Sequence, residues 1–146
     1  MDKKVADAVE KIKELVNLDF EIGIILGSGL GALTEEFGEA VNIRYEDIPD
    51  IPVSSVEGHK GEIVTGSFSG AYVMAFSGRV HYYEGYSMKD VSFFVEVMAG
   101  IGLEKIIITN ASGAVNESYS PGDIVIIKDH INLTGDNPLR GSAHTP

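Results

Sequence analysis

Residues 22–31, Ile-Gly-Ile-Ile-Leu-Gly-Ser-Gly-Leu-Gly, place the tightest limit on the fold. Ile22 to Leu26 is a short apolar run rich in isoleucine, the pattern of a strand buried on both faces. Gly27, Gly29 and Gly31 then alternate with Ser28 and Leu30. Glycines there let the chain turn sharply and bring backbone N–H groups close to a ligand. Leu30 to Phe37 is compatible with a helix. A strand, a glycine turn and a helix start form a ready anion site, because unpaired N–H groups and the helix dipole face the turn. Ser28 adds a hydroxyl. The loop reads as a holder of phosphate or a phosphate-like group.

The loop by itself leaves two alternatives open. Gly27, Gly29 and Ala32 also fit the dinucleotide fingerprint, and Glu46 and Asp47 fall near the ~20-residue offset of its ribose-binding acid. That pattern belongs to nicotinamide or flavin oxidoreductases. A structural turn with no ligand satisfies the loop equally well.

Composition narrows the classes. A chain of 146 residues, 44% apolar and 23% charged, is expected to form a single α/β domain over residues 1–146. The net charge of −11 argues against a nucleic-acid surface, which needs clustered Lys and Arg. A local basic cluster can still hold a small anion. With no Cys, disulfides, thiolate metal sites and Cys nucleophiles are excluded. Met1-Asp2-Lys3-Lys4 opens a charged segment rather than an apolar signal core, and no apolar run approaches the ~18 residues of a membrane span. The expectation is a cytoplasmic protein without a membrane or nucleic-acid partner.

Along the chain, Val5, Ala8, Val9, Ile12, Leu15 and Val16 recur at helical spacing and predict an amphipathic helix from about Asp2 to Leu18. Val41 to Glu46 alternates as a strand, and Asp47 to Ser55, with two prolines, reads as irregular. Glu62–Phe68 and Ala71–Ser77 are strand-like runs joined by Ser69-Gly70, a tight hairpin turn. Val91 to Ile101 is an apolar helix with Ser87 or Ser92 as its cap and Gly102 just past its end. Lys105–Thr109 and Asp123–Lys128 are two further apolar strands. The pattern predicts an α/β fold of three layers, a mixed twisted β-sheet flanked by helices, with an antiparallel hairpin in the sheet. Residues 130–146 add no further element, so the sheet is expected to be incomplete and the chain an amino-terminal portion.

Three apolar strands run into loops of similar chemistry. The first enters Gly27-Ser28-Gly29. The second enters Gly78-Arg79-Val80-His81-Tyr82-Tyr83-Glu84-Gly85-Tyr86, and the third Asn110-Ala111-Ser112-Gly113. In open α/β sheets ligands gather at the carboxyl ends of strands. If the three lie side by side, one crevice receives the Ser28 hydroxyl, the Arg79 fork and His81, two residues on and facing the same way. Each residue also has a structural reading: Arg79 in a surface ion pair, His81 or His130 as a satisfied structural histidine, His59 as a plain loop residue, Tyr83 as rim packing, Ser112 and Asn116 as turn formers. No His and carboxylate set has metal-ligand spacing, and neither a nucleophile elbow nor a Walker loop is present.

The ordered set of Gly27-Ser28-Gly29-Leu30-Gly31, Gly58-His59, Gly78 to Tyr86, Thr109-Asn110-Ala111-Ser112-Gly113, Gly122-Asp123-Ile124, Asp129-His130-Ile131-Asn132-Leu133 and Asn137-Pro138-Leu139-Arg140-Gly141 resembles the trimeric purine nucleoside phosphorylases. The resemblance covers the chain from Ile22 to Gly141. It favours the purine nucleoside branch over the methylthioadenosine branch, which usually has Thr in place of Ser28 and lacks the Gly58-His59 segment. It implies phosphorolysis of purine ribonucleosides or deoxyribonucleosides to the base and the pentose 1-phosphate. By the same resemblance Ser28, Arg79, His81 and the Ala111 N–H hold phosphate and His59 closes over it. His81 and His59 are then the catalytic pair, Tyr83 lies along the ribose, and Asn110 shapes its loop. No cofactor or metal is implied; phosphate is a substrate, and the complete protein is expected to be a homotrimer. The Glu and Asn with which the family recognises the base fall in its later half, so this chain alone is expected to be inactive. After Arg140-Gly141 the family usually continues Pro-Asn, where this chain has Ser142-Ala143.

Overall fold

A computed structural model describes residues 1–16, 19–54 and 60–140. Helix α1 spans Lys3–Leu15 and buries Val5, Ala8, Val9 and Ile12 of the stripe that the 3.6-residue spacing predicts; Val16, just past its end, is buried too, whereas Leu15, in the last turn, is exposed. Asp2 caps it by accepting a hydrogen bond from the Lys4 N–H at 3.0 Å. Helix α2 spans Met88–Ile101. Ser87 is its cap, in a reciprocal pair with Asp90, and Gly102 closes it in the left-handed conformation at φ 102°. The two helices pack against each other on one face of the sheet.

The sheet has five strands: β1 (Ile22–Leu26), β2 (Gly38–Arg44), β3 (Glu62–Phe68), β4 (Ala71–Ser77) and β5 (Ile106–Ile108), in the order β2-β3-β4-β1-β5. β2, β3 and β4 are antiparallel neighbours. β4 and β5 both run parallel to β1, so the sheet is mixed. The β3–β4 turn falls at Ser69-Gly70, where both residues have positive φ (52° and 85°), as a two-residue hairpin with the right twist requires.

Side chains alternate across the sheet. Ile25, Ile43, Ile63, Met74 and Phe76 face α1 and α2 and meet Phe93, Phe94, Val97 and Met98. Phe76 and Phe94 pack edge to face at 5.7 Å. Ile24, Leu26, Val64, Val73 and Ala75 form a smaller cluster on the opposite face, covered by Leu33, Phe37 and Phe68.

Two expected elements take other forms. Residues 31–36 form a 3-10 segment (Gly31–Glu36), not the α-helix that Leu30 to Phe37 suggests. Six residues are too few to offset helix nucleation, and the Thr34 hydroxyl donates back to the Gly31 carbonyl at 2.9 Å. The helix dipole expected at the glycine loop is therefore not supplied. Residues 123–128 form no strand, and Ile124 and Ile126 are more than nine-tenths exposed. Among the described residues no neighbouring strand offers them a ladder, and a strand without a partner leaves its N–H and C=O groups to water. Smaller differences concern ends: β2 begins three residues earlier than its alternation suggests and gives way to a 3-10 turn at Tyr45–Asp47.

Candidate functional site

The parallel pairing of β4, β1 and β5 brings their carboxyl ends to one rim of the sheet, with β1 in the middle. The three loops singled out by sequence therefore start side by side. Gly27 follows β1, Gly78-Arg79 follows β4, and Thr109-Asn110 follows β5.

Thr109 ties these starts together. Its N–H and its hydroxyl both donate to the Ile25 carbonyl at 3.0 Å, extending the β1–β5 ladder by one residue. Its hydroxyl oxygen accepts from the Gly27 N–H at 2.8 Å. Its carbonyl accepts from the Arg79 guanidinium. The fit at Gly27 is tight: a Cβ there would lie 2.6 Å from the Thr109 carbonyl oxygen and 2.9 Å from the Asn110 Cα. Only glycine lets β1 and β5 run this close at their ends.

Ser28 and Gly29 form the tip of a turn closed by the Leu30 N–H on the Gly27 carbonyl at 3.2 Å, with Gly29 at φ 84°. Ser28 is exposed at this rim. Asn110 and Ala111, next after Thr109, are exposed as well.

Arg79 is half-buried. Burial pulls its guanidinium below the ordinary arginine range, and the nearby Tyr83 phenol acts in the opposite direction. Among the described residues no carboxylate forms an ion pair with it. The surface ion pair that was its structural reading is thus absent among these residues. Val80 turns into the helix-side core between Arg79 and His81, both of which stay partly exposed, as alternation in an extended segment demands. The Tyr45 hydroxyl, buried, donates to the Gly78 carbonyl at 2.6 Å and fixes where this loop leaves β4.

His81 is oriented by Glu84. The carboxylate oxygen Oε1 accepts the His81 N–H at 2.9 Å and lies 2.7 Å from Nδ1, while Oε2 accepts from the Ser54 hydroxyl at 2.9 Å. The Glu84 side chain is 4% exposed. This close contact of a buried carboxylate with Nδ1 fixes the plane of the ring. Tyr83 stacks on the imidazole, with ring centroids 4.8 Å apart.

Of the residues predicted from sequence, Ser28, Arg79, Asn110 and Ala111 sit on loops that begin at one rim. His81 and Tyr83 form a stacked pair a few residues beyond Arg79. His59 lies outside the described residues. Sequence reasoning assigned no part to Thr109, Glu84 or Tyr45. The signals were present for two of them. Glu84 stands three residues after His81, and Thr109 is the one hydroxyl ending a run of three isoleucines. Tyr45, distant in sequence from Gly78, gave none.

Comparison with known proteins identifies the family and the fold. The chain is 53% identical over 137 residues to purine nucleoside phosphorylase 1 of Geobacillus stearothermophilus, a match covering 94% of this chain and 50% of that one. Its fold superposes on a Schistosoma purine nucleoside phosphorylase solved with hypoxanthine, with a TM-score of 0.87 and 39% identity over 96% of this chain and 50% of that chain. Isoform 2 from Schistosoma mansoni, solved with cytosine and ribose-1-phosphate, gives a TM-score of 0.81 and 40% identity over 93% of this chain and 51% of that chain. The chain spans about half the length of the relatives it matches. Residues 21–146 match the Phosphorylase superfamily across the glycine turn, the Arg79 loop and the Thr109 end of β5, and the chain belongs to that superfamily.

Proposed function

We propose that this chain is the phosphate-holding portion of a purine nucleoside phosphorylase. One observation carries the reading. Arg79 is a half-buried cation that no carboxylate neutralises among the described residues, at a rim it shares with the Ser28 turn. A partly desolvated guanidinium without a counter-charge is suited to an oxyanion, and its fork matches two phosphate oxygens.

In this reading Ser28, Arg79 and the Ala111 N–H hold inorganic phosphate. His81, its plane fixed by Glu84, adds a further contact, and His59 closes over the ion. Tyr83 lies along the pentose. Asn110 keeps the Ala111 loop in shape. A phosphate oxygen attacks C1′ of the nucleoside as the glycosidic bond breaks. The bonding pair leaves with the base, which takes up a proton, and the pentose departs as its 1-phosphate. The transition state has the character of a sugar cation, as in glycoside cleavage. A positioned phosphate dianion stabilises that cation before capturing it, so placement and charge supply most of the acceleration. The chemistry calls for neither metal nor organic cofactor. Hypoxanthine and ribose-1-phosphate, held by the Schistosoma relatives, are the product classes this reaction yields. The complete protein would work as a cytoplasmic homotrimer in purine salvage.

Phosphate-dependent loss of inosine tests the reading. The protein assayed carries this sequence joined to the part of the Geobacillus stearothermophilus relative that it does not cover. Turnover that requires phosphate is expected there, with saturable phosphate binding but no turnover by the 146-residue chain alone. A joined protein that folds and leaves inosine intact overturns the phosphorylase reading. Phosphate binding by both without any turnover would instead favour a non-catalytic phosphate-binding module.

A further inference from the structure

We infer that Thr109 is the positioning residue that sets the spacing between the two phosphate-facing elements, the Ser28 turn and the Arg79 guanidinium. The inference rests on the phosphate reading above and goes beyond it, because Thr109 touches no ligand in that scheme.

The geometry is specific. One residue meets both elements through different atoms: the hydroxyl oxygen accepts from the Gly27 N–H, and the carbonyl accepts from the Arg79 guanidinium. The same hydroxyl donates to the Ile25 carbonyl, so its proton is committed inward and its lone pair is aimed at Gly27. The Gly27 N–H, buried at the start of the turn, is thereby spent on Thr109 and not offered to an anion. What remains at the rim is the Ser28–Gly29 tip, presented at a fixed offset from the guanidinium. Gly27 lies so close to β5 that a Cβ on it would meet the Thr109 carbonyl oxygen at 2.6 Å and the Asn110 Cα at 2.9 Å. With the carbonyl bracing one side of the arginine and the hydroxyl bracing the turn, a shift of Thr109 changes the gap between two anion contacts at once.

Two substitutions separate this role from plain packing. Thr109→Val keeps the branched shape and removes the hydroxyl. Thr109→Ser keeps the hydroxyl and removes the methyl. Isothermal titration of the chain with inorganic phosphate is expected to show Thr109→Val binding ~10-fold or more weakly than the unchanged chain, and Thr109→Ser within about twofold of it. A packing role predicts the reverse order, and that order overturns the inference. Equal affinity in all three overturns it while leaving the phosphate reading intact. No saturable binding by the unchanged chain overturns both.

Should Thr109→Val not fold, amide NMR of the unchanged, isotope-labelled chain titrated with phosphate decides the point. The Ser28 and Gly29 amides are expected to move and the Gly27 amide to stay. A Gly27 amide that moves most means that it donates to phosphate and that Thr109 does not hold it.

Discussion

The two flanks of the sheet's carboxyl rim are built to different standards. On the β4 flank the chain leaves a seven-residue strand hydrogen-bonded on both sides, and the Gly78–Glu84 loop is fastened to Tyr45 at Gly78 and to Ser54 at Glu84, with Glu84 also bonded to His81 inside the loop. On the β5 flank a three-residue strand pairs, among the described residues, on one side, and almost every residue from 110 to 140 is exposed. The lesson is that β-forming composition does not make a strand. Residues 106–108 and 123–128 are equally rich in isoleucine and valine, but only the first run finds an edge to pair with. The cation-bearing half of the site thus leaves a strand paired on both sides, whereas the Asn110–Ala111 half follows a short ladder to β1 that ends at Thr109.

The sharpest way to break this comparison is to remove one large side chain from each region. Phe76 is fully buried between Tyr45 and Phe94, so Phe76→Ala is expected to cost about 3–5 kcal/mol. Ile126→Ala, at 92% exposed, is expected to change stability by no more than about 0.5 kcal/mol. Urea unfolding followed by circular dichroism reads both. A loss at Ile126 comparable with that at Phe76 would mean the 110–140 segment is packed and the contrast is false.

Much of this architecture was legible in the chain, and the reasons are local. Periodicity of 3.6 marked most of the buried stripe of α1, and β-forming composition with Ser69-Gly70 marked both hairpin strands to the residue. Gly102 announced the end of α2 through its capping chemistry, whereas the start was read at Val91 with Ser87 or Ser92 as cap, and α2 begins three residues earlier, behind Ser87. The order of the strands was an inference from similar strand endings, and the parallel β4-β1-β5 pairing agrees with it. What escaped was whatever depends on a distant partner. The absence of a strand at 123–128 is set by which neighbours are available, not by those six residues. The bond from Tyr45 to Gly78 and the double role of Thr109 exist only once separate strands meet. Ser28 and His81 were placed at the phosphate crevice by the strand endings, the role of Tyr83 came from family resemblance, and phosphate titrations are the measurement that addresses the phosphate contacts.

Arg79→Ala sharpens the comparison at the β4 flank. Losing a charge-assisted contact to the oxyanion is worth about 1.5–3 kcal/mol, so phosphate affinity should fall by roughly 10- to 100-fold. Stability should change less, because among the described residues the hydrogen bond lost is that to the Thr109 carbonyl, at a half-exposed site. Calorimetric titration with phosphate checks the first point and thermal unfolding the second. Unchanged affinity would remove Arg79 from the site.

At the weaker flank the corresponding probe is Gly27→Ala. The added methyl meets backbone at 2.6 Å and 2.9 Å, not the end of a flexible side chain, so β5 has to move away from β1. The expected cost is about 1–3 kcal/mol, with lost hydrogen-exchange protection concentrated at the β1–β5 ladder and not at β3–β4. Loss spread evenly over the sheet would argue that the two flanks unfold as one unit.

The smallest effect belongs to Tyr45, and it carries a pH signature. The phenol is 2% exposed and donates to the Gly78 carbonyl. Burial, with some help from the Glu62 charge, holds its pKa well above the ordinary tyrosine range. The folded chain therefore keeps this proton more tightly than the unfolded chain, whose tyrosines titrate near about 10. The contribution is fully present below about pH 10 and is lost as pH rises past that value toward the folded pKa. Tyr45→Phe should cost about 0.5–1.5 kcal/mol at neutral pH, the worth of one hydrogen bond. Above about pH 10 the variant should lose stability less steeply than the unchanged chain, so the gap between them narrows. Denaturant midpoints of both proteins at about pH 7, 9 and 11 measure that gap directly, with every other tyrosine common to the pair. A gap that stays constant across the range would mean the Gly78 end of the loop is not held by a protonated, buried phenol, and the β4 flank would lose one of the ties that set it apart from β5.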